Sequence, residues 1–177
     1  MEKIDISQVE LNPFVSIGKD SFLLSAGKDG EWNTMTAGWG GMGYMWGRPC
    51  CFVFVRESRY TLSFMDKYDS FSVSFFPPEK KEALAFCGSH SGRDTDKAKE
   101  AGLTPIYVDD TVAFEEANLT FTLKKMSKHF ISEEGFIDPE IKERWYKNGD
   151  YHYMFIGEIK GAYIKESEIT VVESDLI

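Results

Sequence analysis

The stretch "SFSVSFF", residues 70–76, alternates serine with a large apolar residue until Pro77 and Pro78 end it. Successive side chains of an extended chain point to opposite faces. The stretch is therefore expected as a strand with Phe71, Val73 and Phe75 inward and the serines outward. "LTFTLKK" (119–125) repeats the pattern through Leu119, Phe121 and Leu123. "CCFVFV" (50–55), bounded by Pro49 and Arg56, is short and continuously apolar, as a buried strand would be. "FLLSA" (22–26) and "NTMTAGW" (33–39) flank a "KDG" turn, and "YMFIGEIKGAYI" (153–164) supplies a last strand. "GGMGYMWGRP" (40–49) reads as a glycine-rich connection.

Helices fall between these strands. Ser58 is placed to cap one running to about Lys67, and Pro77–Pro78 precede another over "EKKEALAF". Asp94 is placed to cap "TDKAKEA", with Gly102 as its stop. Asp138 and Pro139 open "EIKERWY", closed by Asn148 and Gly149. Strands outnumber helices and no regular βαβ alternation appears. The expectation is mainly β: a closed or nearly closed antiparallel barrel with short helices attached, as one domain over residues 1–177.

Composition narrows the function. A chain of 177 residues with 42% hydrophobic and 15% aromatic content can bury a core. Its net charge of −9 argues against nucleic acid or an anionic membrane as partner, so an anionic ligand needs a local basic cluster. No signal-peptide pattern and no membrane-length apolar run is seen, and Cys50, Cys51 and Cys87 have no CxxC spacing. A cytoplasmic protein with reduced thiols is expected. No HExxH, GxSxG or paired-carboxylate pattern suggests hydrolysis. His90, His129 and His152 fall in separate elements with no acidic partner at metal-ligand spacing.

Two stretches carry candidate chemistry. In "VRESRYT" (55–61) a buried strand gives way to a helix start, with Arg56, Ser58, Arg59, Tyr60 and Thr61 close together. Backbone N–H groups at a helix start, two guanidinium groups and two hydroxyls suit a phosphate monoester. The same residues also serve as an ordinary cap with arginines paired to Glu57 and Asp66. In "NTMTAGWGG" (33–41) small residues alternate with Met35 and Trp39, so the backbone is open to a flat ring. A barrel corner needing small residues explains it as well.

Together "NTMTAGWGG", "RPCCFVFVRESRYT", "FSVSFF", "CGSHSGRDTDK" and "GEI" resemble the flavin reductase-like, FMN-binding split-barrel family, in its flavoredoxin-like branch, from about residue 14 to 164. The resemblance implies a six-stranded antiparallel Greek-key split barrel that forms a homodimer with FMN at the interface. It implies that Thr34, Met35 and Thr36 meet the isoalloxazine through their backbone, with Asn33 and Trp39 taken as cofactor-binding residues beside them and Trp39 packing nearby. It gives Arg56, Ser58, Arg59, Tyr60 and Thr61 the phosphate and ribityl chain. Ser89, His90, Ser91, Gly92 and Arg93 would close over the flavin, with Gly92 supplying backbone angles closed to other residues. Asp96 and Lys97 are taken as helix and solvent residues. Tyr44 and Trp46 shape a donor pocket at the dimer edge or are ordinary packing. The implied chemistry is that of an FMN oxidoreductase with NAD(P)H as co-substrate; an FMN electron carrier between redox-protein partners and a non-redox ligand-binding barrel are the alternatives. With no GxGxxG turn, a nicotinamide donor would not be held by a Rossmann domain.

Overall fold

The computed structural model describes residues 1–165; the rest of the expected 1–177 domain lies outside the described residues. In chain order the elements are β1 (Glu2–Ile4), α1 (Pro13–Ser16), β2 (Phe22–Lys28), β3 (Glu31–Ala37), β4 (Gly40–Met45), β5 (Arg48–Arg56), α2 (Thr61–Lys67), β6 (Ser70–Phe75), α3 (Lys81–Ser89), α4 (Lys97–Ala101), β7 (Pro105–Val108), β8 (Thr111–Phe114), β9 (Leu119–Phe130), α5 (Pro139–Trp145) and β10 (His152–Ile164).

The main sheet is antiparallel in the order β3-β2-β6-β9-β10-β5-β4, and β1 adds to β10. Its two edge strands, β3 and β4, are joined by Gly38 and Trp39 alone. So short a link spans only about 10 Å, so the two edges lie side by side and the sheet curls into a barrel. No ladder pairs β3 with β4 among the described residues, which leaves the barrel split there. Phe71, Val73 and Phe75 of β6 fill the interior with Leu24, Val53, Val55, Phe121, Leu123 and Phe155. Cys51 joins this core, and both Cys50 and Cys51 are buried, as expected of core thiols.

The mainly β antiparallel barrel stands as expected, with more strands than six. Two differences have physical causes. The glycine-rich stretch 40–49 is a hairpin: β4 pairs with β5 across a turn in which Trp46 and Gly47 both have positive φ, the geometry that a two-residue hairpin turn requires. Ser72 and Ser74 do not face solvent. The β7–β8 hairpin covers that face, so Ser72 Oγ donates to Val112 O and Ser74 Oγ shares a bond of 2.9 Å with Thr120 Oγ1. A second small core, with Leu23, Leu84, Cys87, Leu103 and Phe114, fills the space between the layers. Alternation reports two faces, not which of them is wet.

The helix starts also shift. The helix expected from Ser58 begins at Thr61 with Tyr60 as an unbonded cap residue, and Ser58 turns instead to Asp150. Asp96 rather than Asp94 caps α4, accepting from Lys99 N at 3.2 Å. Asp138 caps α5 as expected. No helix among the described residues is long and apolar enough to cross a membrane.

Candidate functional site

The loop after α3, the start of α2 and one face of β3 enclose a cleft of about 260 Å³. It is lined by Asn33, Met35, Arg56, Ser58, Arg59, Tyr60, Thr61, Ser89, His90, Ser91, Arg93, Lys97 and Asp150, so eleven of the fifteen expected site residues converge there. Thr36 and Trp39 line an adjoining upper cleft of about 170 Å³ with Ala37, Gly38, Phe54 and His152; Met35, Arg56 and Arg59 belong to both. Gly92 lies in a further recess of about 240 Å³ with Asn33 and Lys97. Thr34 is fully buried, its hydroxyl bonded to Ser25 Oγ at 2.8 Å, and reaches the site only through its backbone.

The cleft carries Arg56, Arg59, Arg93 and Lys97 against one carboxylate, Asp150. In a chain of net charge −9 this is the local basic cluster that an anionic ligand needs. Its members are held differently. Arg59 donates from Nη1 to Gly88 O at 2.8 Å, and the Arg93 guanidinium lies 4.7 Å from the Tyr60 ring centre. Arg56, expected at a phosphate, is committed elsewhere: Nη1 donates to Asp150 O at 2.8 Å and Nη2 to Trp145 O at 3.2 Å. Both acceptors belong to the excursion between β9 and β10, so Arg56 latches that segment over the site. Ser58 joins the same latch, its N and Oγ donating to Asp150 at 2.9 and 2.8 Å.

Lys97 is the residue that sequence reasoning missed. It is 6% exposed, and Nζ donates to Thr34 O at 2.8 Å and Cys87 O at 2.9 Å. Burial, then the nearby Arg59 charge, holds its pKa below the usual lysine range, while the Cys87 thiol pulls the other way. Moving the cap from Asp94 to Asp96 makes Lys97 the first helical residue, where Cβ tilts back toward the preceding loop. That shift was the available signal.

The covering loop is shorter than expected, because Ser89 ends α3 and its hydroxyl donates to Ala85 O at 2.8 Å. His90 stacks on Phe86 with ring centres 4.0 Å apart, its Nδ1 near Ser89 Oγ and Phe86 O. Gly92 does not have a positive φ. It is needed for proximity instead: a Cβ there would fall 2.0 Å from Asn33 Oδ1. Asn33 Nδ2 in turn donates to Thr61 Oγ1 at 2.9 Å, so one chain of contacts ties the loop to β3 and α2.

His129 sits on an exposed strand end beside Ser127, while His152 is buried with Nδ1 2.7 Å from the Tyr146 hydroxyl. Burial and the Arg56 charge push the His152 pKa down to about 4.

The fold and site define an antiparallel split barrel with a basic, donor-lined cleft at its open seam. The family model described as "Flavin reductase like domain" matches residues 16–172, and the chain belongs to that family. Among solved structures, flavoredoxin from Methanosarcina acetivorans is 25% identical with a TM-score of 0.65, over 90% of this chain and 76% of its own. Flavoredoxin of Desulfovibrio vulgaris (Miyazaki F) is 23% identical with a TM-score of 0.66, over 94% and 78%. An FMN-binding protein from Thermus thermophilus, solved with bound 1-cyclohex-2-enone, is 20% identical with a TM-score of 0.66, over 94% and 82%. No curated protein matches the sequence.

Proposed function

We propose that this protein is an FMN-dependent oxidoreductase that takes electrons from NAD(P)H and passes them to free flavin or another acceptor. The observation that carries the reading is the cationic imbalance of the cleft: Lys97 is buried beside Arg59, and among the described residues the only carboxylate lining the cleft is Asp150, already committed to Ser58. Such a site fits a phosphorylated ligand. FMN would lie with its phosphate and ribityl chain among Arg59, Arg93, Ser91, His90 and Thr61. Its ring would run along the backbone of Met35 and Thr36 toward Trp39. The family supports a flavin there, and flavoredoxin and flavin reductase neighbours support redox use of it.

Bound FMN would supply the hydride and electron chemistry. The residues of this chain bind, orient and exclude water. Arg59 and Arg93 would neutralise the phosphate by charge-assisted hydrogen bonds. Lys97, held by two carbonyls behind β3, adds positive potential favouring the more negative, reduced ligand. Arg56 and Ser58 hold the 131–151 segment closed over the ring. No side chain needs to act as acid or base for the hydride step.

Arg59→Ala is expected to weaken FMN about tenfold, the scale of one charged hydrogen bond, and riboflavin, which lacks the phosphate, much less. Arg56→Ala should weaken both alike, because it releases the latch. Flavin fluorescence titrations check this; equal losses for Arg59→Ala would move the phosphate elsewhere. Anaerobic bleaching of the yellow protein by NADH or NADPH alone supports the enzyme. Bleaching only by a reduced protein donor assigns an electron carrier instead.

We further propose a homodimer that completes the flavin site. Tyr44 is 75% exposed and Trp46 59%, both on the β4–β5 hairpin, and Trp39 is also exposed. Exposed aromatic side chains at both ends of β4, an edge strand of the sheet, fit a partner surface laid along that edge. Light scattering should give twice the 20.2 kDa chain mass; a flavin-loaded monomer at micromolar concentration would sink the idea.

A further inference from the structure

His152 opens β10, and Tyr146 closes α5 on the segment that Arg56 latches over the site. The His152 ring lies 4.9 Å from Trp39 and 6.4 Å from Phe54, centre to centre, and lines the upper cleft. Its Nδ1 is 2.7 Å from the Tyr146 hydroxyl, with both residues buried. Among the described residues no protein group bonds Nε2, the nitrogen on the other side of the ring.

The proton between Tyr146 and His152 can be placed. A phenol is a good donor and a poor acceptor, whereas a neutral imidazole nitrogen is a good acceptor. No other acceptor bonds the Tyr146 hydroxyl among the described residues, so a proton on Nδ1 would leave the phenol proton buried without a partner. Tyr146 therefore donates to Nδ1, and the single proton of the neutral imidazole sits on Nε2. The ring stays neutral at physiological pH, because burial and then Arg56 disfavour the imidazolium; Arg59 adds to this and Asp150 opposes it.

We propose that Tyr146 is a positioning residue that locks His152 in the Nε2–H form, so that His152 offers an uncharged hydrogen-bond donor to the planar ring held along β3. The inference rests on FMN as the occupant. Flavin oxygens and nitrogens become stronger acceptors on reduction. A fixed neutral donor then favours the reduced ligand without adding a third cation beside Arg56 and Arg59.

Nitrogen-15 NMR of FMN-loaded, histidine-labelled protein reads the tautomer directly. The chain has three histidines, so His90→Gln and His129→Gln assign the signals. His152 is expected to show a bare Nδ1 and protonated Nε2 from pH 6 to 8, and Tyr146→Phe to give a mixture of tautomers. A protonated Nδ1 in the parent, or an unchanged pattern in Tyr146→Phe, would overturn the proposal. Redox titration is the second arm. His152→Leu should lose tenfold in preference for reduced over oxidised FMN, a midpoint shift of about −30 mV for a two-electron couple. His152→Gln, whose amide N–H can take the Nε2 position, should stay within threefold of the parent. A parent-like potential in His152→Leu rejects the donor role. Failure of the parent to bind FMN rejects the functional reading instead, while the nitrogen pattern still decides the tautomer. Tyr146→Phe removes one oxygen and keeps the proposal testable if His152→Leu fails to fold.

Discussion

Lys97→Met is expected to raise the FMN dissociation constant about a hundredfold while the ligand-free protein melts close to the parent. The two effects separate because the ammonium group is poorly suited to the empty fold. It is buried, it has Arg59 rather than a carboxylate nearby, and its pKa is depressed chiefly by desolvation. A lysine with a lowered folded pKa binds its proton more weakly in the folded than in the unfolded chain. At neutral pH the charge therefore costs folding free energy, and the cost falls as pH rises toward the ordinary lysine value of 10.5. Methionine of similar length removes that cost, although it leaves Thr34 O and Cys87 O without their donor. The two changes roughly cancel in the ligand-free protein. With FMN bound, the lost group is a buried source of positive potential, and a unit charge roughly 6 Å from an anionic group at an effective dielectric constant of about 20 is worth about 2.8 kcal/mol, on the order of a hundredfold. Fluorescence titration and calorimetric melting of the same preparation measure both quantities. A variant that melts many degrees early yet binds FMN as tightly as the parent would make Lys97 a purely structural residue.

How far the sequence reveals this site depends on how local the information is. Phe71, Val73 and Phe75 announce a strand because period-two alternation is local, and the inward face is right. The fate of Ser72 and Ser74 is not local. It depends on a hairpin some forty residues on, as the bond from Ser72 to Val112 shows. Motifs 33–39, 56–61 and 89–93 could be assigned to one site only through the family resemblance. Spacing alone does not say that residues so far apart in the chain share a cleft. The roles within the cleft escaped for the same reason. Arg56 appears available in "VRESRYT", but its partners are the carbonyls of Trp145 and Asp150, contributed by a distant segment with no periodic signal. Lys97 turns on a two-residue difference in a helix cap: with Asp94 as cap it reads as a solvent position, and with Asp96 as cap it is buried.

Gly92→Val is the second large effect, expected to weaken FMN about thirtyfold or more, and its cause can be isolated by a double-mutant cycle. Glycine is not required here for its backbone angles, since φ at Gly92 is not positive. It is required because the covering loop touches β3: a Cβ would sit 2.0 Å from Oδ1 and 2.9 Å from Cγ of Asn33. One of the two must move. If Asn33 turns away, its 2.9 Å bond to Thr61 Oγ1 breaks, and the α2 start loses its tie to β3. If the loop lifts, Ser91 and Arg93 leave the cleft they line. Overpacking typically costs about 1–3 kcal/mol, and a lost neutral hydrogen bond about 1 more. Either route opens the expected phosphate end. Gly88→Ala is a milder control, because its Cβ would meet the Thr36 side chain at 3.2 Å, where a small shift suffices. The decisive comparison uses Asn33→Ala as background. If the clash with the Asn33 side chain is the cause, Gly92→Ala should cost clearly less in that background than in the parent, because contacting residues couple. An equal cost in both backgrounds would mean that the loop needs glycine for another reason, and the contact between loop and strand would not be what closes the site.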